Sequence, residues 1–214
     1  MGVLDDKIVI VSGVGPGLGQ ANARALAREG ATVVLAARSA EYLEQIRTEI
    51  ESAGGRAVCV PTDITDRAQC DALAQQTLDR FGRLDVLVNN AFRMGGFQSF
   101  DGADLAKWRK IHEVNVWGSL QLTQACLPAL TTTAASHGDA SVVFILSMSQ
   151  AKIRPDEIDY ASSKGALRTA VQGLAYELGP RKVRVNAVAP GWIGGPAVEM
   201  YLGWMAQERG VDVS

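Results

Sequence analysis

The start of the chain places a glycine-rich loop between a predicted strand and a predicted helix. Residues 7–11 are apolar and rich in β-branched side chains, which is typical of a strand buried on both faces of a parallel sheet. A helical pattern covers residues 20–29. Between these elements the spacing G-x-x-x-G-x-G is met by Gly13, Gly17 and Gly19. The commoner pattern G-x-G-x-x-G is not met, because Leu18 stands where its last glycine would fall.

This order of elements suits the binding of a phosphate group. Glycines let the backbone approach a pyrophosphate closely, and the start of a helix offers free N–H groups and the positive end of a dipole. The segment therefore predicts a phosphate-binding loop. The alternative is a flexible loop that is rich in glycine and binds nothing.

Strand and helix patterns alternate along the whole chain. Six strands are predicted, at residues 7–11, 32–37, 57–60, 85–91, 141–147 and 183–188. Helices are predicted at 20–29, 40–52, from a cap at 63–66 to about residue 81, at 104–130 and at 160–178, with a solvent loop at 131–139. Strands joined through helices form crossover connections, so we expect an α/β fold with a Rossmann-like doubly wound parallel β-sheet and helices on both faces. We expect one domain, residues 1–214, whose ligands bind at the carboxyl ends of the strands.

Composition and charge narrow the class of partner. The net charge of −2, with charges of mixed sign, argues against nucleic acid or an anionic membrane as the main partner. No apolar stretch is long enough to span a bilayer, and the N-terminus lacks the basic and apolar regions of a secretion signal. Three scattered cysteines and two distant histidines predict neither a disulfide framework nor a metal site. We therefore expect a cytoplasmic protein that holds no metal.

The end of the second predicted strand bears on the choice of cofactor. In dinucleotide-binding folds an acidic residue at this place binds the ribose 2′-hydroxyl, whereas a nearby arginine accommodates a 2′-phosphate. Here the strand ends in Ala37, Arg38 and Ser39, without a carboxylate. This favours NADP(H), with NAD(H) still possible. The alternative for Arg38 is an ordinary exposed surface arginine.

Tyr160 and Lys164 are four residues apart in a predicted helix that follows the fifth strand. Positions i and i+4 share one helix face, so the phenol and the ammonium can point into the same cleft. A nearby ammonium favours the phenolate and lowers the phenol pKa, so that the pair could exchange a proton with an alcohol or a carbonyl. By itself the spacing also fits an ordinary solvated helix face.

Taken in order, these motifs resemble the short-chain dehydrogenase/reductase family. The resemblance extends from Leu4 to about Ile193 and depends on the joint spacing of its motifs. These are Ser12-Gly13-x-x-x-Gly17-Leu18-Gly19, Asp63, Asn89-Asn90-Ala91, Asn115, Ser147, Tyr160-x-x-x-Lys164 and Pro190-Gly191. It implies an oxidoreductase that assembles as a homodimer or homotetramer through its long helix and the helix of Tyr160.

The resemblance also implies a role for each matching residue. Tyr160 would be the acid–base catalyst, Lys164 would bind the nicotinamide ribose and depress the tyrosine pKa, and Ser147 would hydrogen-bond the substrate oxygen. Asn115 would hold a water in a proton relay through Lys164, the alternative being a helix-interior polar residue that bonds locally. The family spacing favours Ser147 over its neighbour Ser149.

A larger set of residues is implied to contact the cofactor. It consists of Ser12, Gly13, Gly17, Leu18, Gly19, Arg38, Ser39, Asp63, Ile64, Asn89, Ala91, Tyr160, Lys164, Pro190, Gly191 and Ile193. Asp63 and Ile64 would contact the adenine, Asn89 and Ala91 would line the nicotinamide side, and Ile193 would pack on the carboxamide end.

Three departures from the family pattern stand out. Phe92 replaces a glycine in the turn after the fourth strand, and this bulky side chain could shift or narrow the site. Gly195 stands where a threonine often binds the carboxamide. The chain stops at Ser214, where relatives continue into a further helix and a seventh strand, so we expect the C-terminal strand to be missing and the sheet to expose a new edge.

These observations predict hydride transfer between NADP(H) and an alcohol/ketone substrate, with Ser147, Tyr160, Lys164 and Asn115 as the catalytic set. An apolar substrate is indicated by Met94, Phe97, Met148, Ile153, Trp192 and Tyr201, unless several of these are core residues. One alternative is an NAD-dependent alcohol dehydrogenase on the same scaffold. Another is a catalytically silent regulator that binds a dinucleotide.

Overall fold

A computed structural model of the chain describes residues 2–210, apart from the side chains at positions 196, 197, 204, 208 and 209. The strands are β1 (Ile8–Ser12), β2 (Thr32–Ala37), β3 (Arg56–Pro61), β4 (Val86–Asn89), β5 (Ala140–Ile145) and β6 (Val183–Val188). The α-helices are α1 (Leu18–Arg28), α2 (Ala40–Ser52), α3 (Arg67–Phe81), α4 (Leu105–His112), α5 (Ser119–His137), α6 (Ile158–Leu178) and α7 (Pro196–Arg209). A π-helical segment, Glu113–Gly118, joins α4 to α5.

The six strands form one parallel sheet in the order β3-β2-β1-β4-β5-β6. Strands β1 and β2 are almost entirely buried, since helices cover the sheet on both sides. Helices α1 and α2 pack on one face, around Leu43 and Ile46, whereas α3, α5 and α6 pack on the other, around Phe144, Leu122 and Leu167. The prediction of a Rossmann-like α/β fold is thereby confirmed.

The topology creates a crevice between β1 and β4. The chain builds outward from β1 to β3 and then returns to place β4 on the other side of β1. The final residues of these two strands, Ser12 and Asn89, lie side by side in register. In open parallel sheets ligands bind at such a reversal, outside the carboxyl ends of the strands.

The long helix differs from its prediction in two ways. The predicted solvent loop at 131–139 is wrong, because α5 continues through Thr133 to His137. Thr133 and Ala134 are buried, and the Thr133 hydroxyl accepts a hydrogen bond from Leu84 N (3.1 Å). Polar composition alone favours a loop, but Thr133 faces the core. The second difference is the π-helical segment that contains Asn115. Its backbone hydrogen bonds span one residue more than those of an α-helix.

Strand β6 is the outer strand on its side of the sheet. Val188 at its end is 52% exposed, and no further strand pairs with β6 among residues 2–210. In that part of the chain no helix is both long and apolar enough to cross a membrane. Nor does the described part contain a group of three or more His, Cys, Asp or Glu residues that could hold a metal ion.

Candidate active site

The loop between β1 and α1 requires glycine at two places. Gly13 has φ +72°, and a Cβ there would stand 2.4 Å from the Cα of Ala91. A Cβ at Gly19 would stand 2.2 Å from the carbonyl oxygen of Gly13. The loop therefore folds tightly against itself and against the turn after β4, and it leads directly into α1, which begins at Leu18.

A small polar network fastens this loop to the end of β4. The Ser12 hydroxyl accepts hydrogen bonds from Asn90 N (3.2 Å) and Ala91 N (3.3 Å). The Asn90 side chain donates to the carbonyl oxygens of Ser12 (3.2 Å) and Gly13 (2.9 Å). Ser12 thus contributes its hydroxyl to the fold of the loop. Asn90 therefore shapes the site. It is not among the predicted cofactor contacts, although it belongs to the motif Asn89-Asn90-Ala91.

A groove of about 580 Å³ runs along the carboxyl ends of β1, β2 and β4. Its predicted lining residues include Gly13, Leu18, Gly19, Arg38, Ser39, Asp63, Ile64 and Ala91. Arg93 and Lys110 also line the groove and were not predicted. The Asp63 carboxylate accepts hydrogen bonds from the backbone N (2.9 Å) and the hydroxyl (2.7 Å) of Thr65, and these bonds fix the turn after β3.

Asn89 does not line this groove. Its side chain is buried and donates to the Thr123 hydroxyl of α5 (2.8 Å). The prediction that Asn89 lines the groove is therefore not met by its side chain, because residues alternate in direction along β4 and this one points at the helix layer. Asn90 and Ala91 line the groove in its place.

A second cavity, of about 210 Å³, adjoins the groove and contains the predicted catalytic side chains Ser147 and Tyr160. Ser147 follows β5, and Tyr160 lies in the first turn of α6. The Ser147 hydroxyl lies near enough to the Tyr160 phenol to affect its ionisation. Lys164 lies one turn later, with its Nζ 5.7 Å from the centroid of the Tyr160 ring. The structure thus places Ser147, from the end of β5, beside two residues of α6.

Burial controls the ionisation of both members of the tyrosine–lysine pair. It raises the pKa of Tyr160 to about 12, against the opposing effect of the nearby Ser147 hydroxyl, and the charge of Glu157 raises this pKa further. Burial also lowers the pKa of Lys164 to about 8. The expected lowering of the phenol pKa by Lys164 is not met in this geometry, because desolvation of the phenol dominates. The ammonium donates to the carbonyl oxygen of Ile145 (2.8 Å).

Lys164 is expected to reduce the stability of the fold at neutral pH. The side chain is 2% exposed, and its pKa of about 8 lies below the ordinary value of 10.5. Below pH 8 the lysine is charged in both states, and the folded state bears the cost of desolvation. Lys164→Met should therefore stabilise the chain by about 2 kcal/mol at pH 7, after the lost bond to Ile145 is subtracted.

The stabilisation by Lys164→Met should become smaller as the pH rises. As the pH rises from about 8 towards 10.5, the folded wild type loses the lysine proton before the unfolded chain does, so the advantage of the variant should shrink. Urea unfolding of both proteins at pH 7 and pH 10 measures the difference, with the exposed Lys152→Met as the control. A variant that is less stable than wild type at pH 7 would contradict this account.

Asn115 connects the turn after β4 to α6. Its carboxamide oxygen accepts from Arg93 N (2.6 Å), and its amide donates to the Arg93 carbonyl oxygen (3.0 Å) and to the Ser163 hydroxyl (2.9 Å). The side chain is fully buried and lines neither cavity. These bonds give it a structural task, and its part in a proton relay stays a prediction.

Asp159 holds the segment around Gly96, which lies next to Tyr160. Its carboxylate accepts from Gly96 N (2.8 Å) and Tyr160 N (2.7 Å) and is buried. A Cβ at Gly95 would stand 2.4 Å from the Asp159 Oδ1 atom, so the segment passes very close to α6. Phe92 at the start of this segment lies edge-on to the Tyr160 ring, at 6.4 Å between centroids, which agrees with the expectation that it narrows the site.

Aromatic side chains form the outer wall of the second cavity. Tyr201 of α7 stacks on Trp192 (5.1 Å between centroids) and packs against Phe97 (4.9 Å). The Arg154 guanidinium lies over Trp192, at 4.8 Å from its centroid. Met94 and Met148 line the same cavity, as predicted. Pro190, Gly191 and Ile193 also line this cavity and not the groove, and their contact with a cofactor stays a prediction. Ile153, predicted to line it, does not and is exposed instead.

Comparisons with known proteins agree with this geometry. The model of a family described as short chain dehydrogenase matches residues 7–203. The 7alpha-hydroxysteroid dehydrogenase of Escherichia coli is 35% identical over 190 residues, which cover 89% of this chain and 72% of that protein.

Two solved structures have the same fold. The 3-ketoacyl-(acyl-carrier-protein) reductase of Brucella melitensis, complexed with NADH, has a TM-score of 0.83 at 31% identity and covers 88% of this chain and 76% of its own. A variant of the actinorhodin polyketide ketoreductase with NADPH has a TM-score of 0.90 at 29% identity and covers 99% of this chain and 80% of its own. The chain therefore belongs to the short chain dehydrogenase family of oxidoreductases.

Proposed function

We propose that this protein transfers a hydride between NADP(H) and an alcohol/ketone pair with an apolar body. One observation carries the proposal. Ser147 and Tyr160 line the same cavity, which shares Pro16, Leu18 and Phe92 with the glycine-loop groove. A substrate in the cavity and a dinucleotide in the groove would therefore meet beside the phenol.

The groove fits a dinucleotide. Gly13 and Gly19 let the loop pack tightly on Ala91 and on itself before α1, whose first free N–H groups suit a pyrophosphate. Gly17 to Gly19 would hold the pyrophosphate at the start of α1, with Asp63 and Ile64 beside the adenine and Ile193 beside the carboxamide. The cofactor supplies the hydride, and the protein supplies orientation and a proton. The similar reductase and ketoreductase hold NADH and NADPH respectively, so both dinucleotides are candidates.

Tyr160 is the residue that would exchange the proton with the substrate oxygen. With a pKa of about 12 its phenol carries the proton at neutral pH, which suits donation to a carbonyl oxygen. Ser147 would bond the same oxygen as negative charge develops there. Lys164 lies beneath both and would reach the nicotinamide ribose, and Asn115 supports the segment above them.

The substrate is proposed to be a carbonyl compound or alcohol with an apolar body. Met94, Phe97, Met148 and Trp192 line the cavity, and the cations Lys152 and Arg154 also line it. The similar proteins are named for a hydroxysteroid, a 3-ketoacyl group and a polyketide. An alicyclic or acyl ketone fits these surroundings.

A homodimer or homotetramer is proposed for the assembled protein, with the cytoplasm as its location. Trp117, in the segment between α4 and α5, is 60% exposed, and Tyr176 of α6 is 87% exposed. Large exposed aromatic side chains on two long helices are typical of surfaces that a second subunit covers.

The test is a panel of alicyclic, steroid and acyl ketones, each with NADPH or NADH. Turnover is followed by the loss of reduced-nicotinamide absorbance, and cofactor binding is measured in parallel. Turnover of at least one ketone class supports the proposal. Tight cofactor binding without turnover of any ketone or alcohol would instead support the silent regulator.

A further inference from the structure

A chain of hydrogen bonds runs from Ser147 to a buried carboxylate. The Ser147 Oγ lies 3.2 Å from the Ser149 Oγ, and the Ser149 Oγ lies 3.1 Å from the Glu157 Oε2. Glu157 is 8% exposed and lines the same cavity as the catalytic side chains. It precedes α6 by one residue, and the assigned roles leave it without a function.

The chemistry of these groups fixes the direction of the chain. A carboxylate can only accept hydrogen bonds, whereas each serine hydroxyl has one proton to donate. Ser149 therefore donates to Glu157, and its oxygen accepts the proton of Ser147. The backbone N of Ser149 also donates to the Ser147 oxygen (3.2 Å). Ser147 is thereby left with a lone pair, and without a free proton, to offer to the reacting group.

The positive charge of Arg154, which lies near Glu157, does not change the direction of these hydrogen bonds. The Arg154 Nη1 lies 4.0 Å from the Glu157 Oε1, outside hydrogen-bond distance, and it donates to the Tyr201 hydroxyl. Its guanidinium lies over the Trp192 and Tyr201 rings. The buried carboxylate therefore has Ser149 as its close hydrogen-bond donor among the described residues, through the Oε2 atom.

We infer that Glu157 is a positioning residue that acts through Ser149 to turn the Ser147 hydroxyl proton away from the substrate. An alcohol can donate to the lone pair that Ser147 presents. A ketone can only accept, so Ser147 must rotate its proton off Ser149 to bind it, and one hydrogen bond of the chain is lost. The site is thereby biased towards the alcohol of the pair. This inference rests on the proposed function.

The test compares the two members of one alcohol/ketone pair on the same enzyme form. The Kd of the ketone and the Kd of the alcohol are measured by calorimetric titration on the complex with a tetrahydro analogue of NADPH that cannot transfer a hydride, so that neither ligand reacts. In Ser149→Ala the Ser147 proton is free, so relative affinity should move towards the ketone by roughly two- to tenfold, the value of one neutral hydrogen bond. Glu157→Gln should shift the ratio in the same direction, because its amide can donate to Ser149 and allow the chain to reverse.

Two variants serve as matched controls. Ser149→Thr keeps the hydroxyl and should restore the wild-type ratio, which a loss of packing at this position would not do. Asp156→Asn removes the same charge one residue away, outside both cavities, and should leave the ratio unchanged. If Glu157→Gln does not fold, Ser149→Ala and Ser149→Thr decide the question.

The outcomes separate this inference from the function on which it rests. An unchanged alcohol-to-ketone ratio in Ser149→Ala, in an enzyme that still turns over, overturns the inference alone. Failure of the wild type to bind or turn over any alcohol or ketone overturns both. A shift in Ser149→Ala that Ser149→Thr reverses supports the inference.

Discussion

Tyr160→Phe should lower turnover by roughly 10²–10⁴-fold, which is the usual contribution of a general acid or base. The substitution removes the hydroxyl and leaves the ring, so the edge-on contact with Phe92 is kept and the cavity should keep its shape. Ser147 and Lys164 stay in place, because they bond to Ser149 and Ile145. Cofactor affinity should therefore change little. Steady-state kinetics with a responsive ketone and a direct cofactor titration measure the two effects.

The same helix offers a matched control. Tyr176 lies on α6, is 87% exposed and reaches neither cavity, so Tyr176→Phe should behave as wild type. If Tyr160→Phe keeps more than about a tenth of the wild-type rate, the proton must come from another group. Ser147, whose hydroxyl lies in the same cavity as the phenol, would then be the first residue to test.

The sheet and the grouping of Ser147, Tyr160 and Lys164 could be predicted because their signals are local. A buried strand, a glycine loop and a helix start are adjacent in sequence, and the pair Tyr160 and Lys164 depends only on helical spacing. The parallel sheet then brings the end of β5 to the start of α6, which places Ser147 beside Tyr160. The prediction of this arrangement depends on no contact between segments that are distant in sequence.

The errors arose where direction in space matters more than residue type. The motif containing Asn89 and Asn90 predicts a turn near the groove, but the alternation of the strand turns Asn89 to Thr123 and Asn90 to the glycine loop. Thr133 looked like a loop residue, because its role as acceptor for Leu84 depends on a contact with a distant segment.

Glu157 and Asp159 illustrate a further limit of sequence. Both lie within three residues of Tyr160 in the sequence. From the sequence alone they would be interpreted as an acidic first turn of a helix, in which negative charges complement the helix dipole. In the structure they have different tasks, since Asp159 holds Gly96 and Glu157 accepts from Ser149. A carboxylate buried beside an apolar cavity needs donors, and those donors become visible only when the segments are folded together.

The second large effect concerns the choice of dinucleotide, for which we expect NADP(H) over NAD(H). Arg38 follows β2, is exposed, lines the groove and makes no hydrogen bond or ion pair with the described side chains. No carboxylate stands at Ala37 to bind both ribose hydroxyls of NAD(H) or to repel a 2′-phosphate. A charge-assisted bond from Arg38 to that phosphate should give roughly a 10- to 150-fold preference for NADP(H).

The decisive comparison is between wild type and the double variant Ala37→Asp/Arg38→Ala, with kcat/KM for each cofactor. The double variant should lose the preference or reverse it, because the new carboxylate repels the phosphate and can bond the ribose of NAD(H). Arg93→Ala is the control, since this arginine lines the same groove and would reveal a general effect of positive charge. The loop positions Val14, Gly15 and Pro16 carry no cation, so the preference depends on the end of β2. A wild type that prefers NAD(H), or a double variant with unchanged preference, would show that Arg38 does not recognise the phosphate.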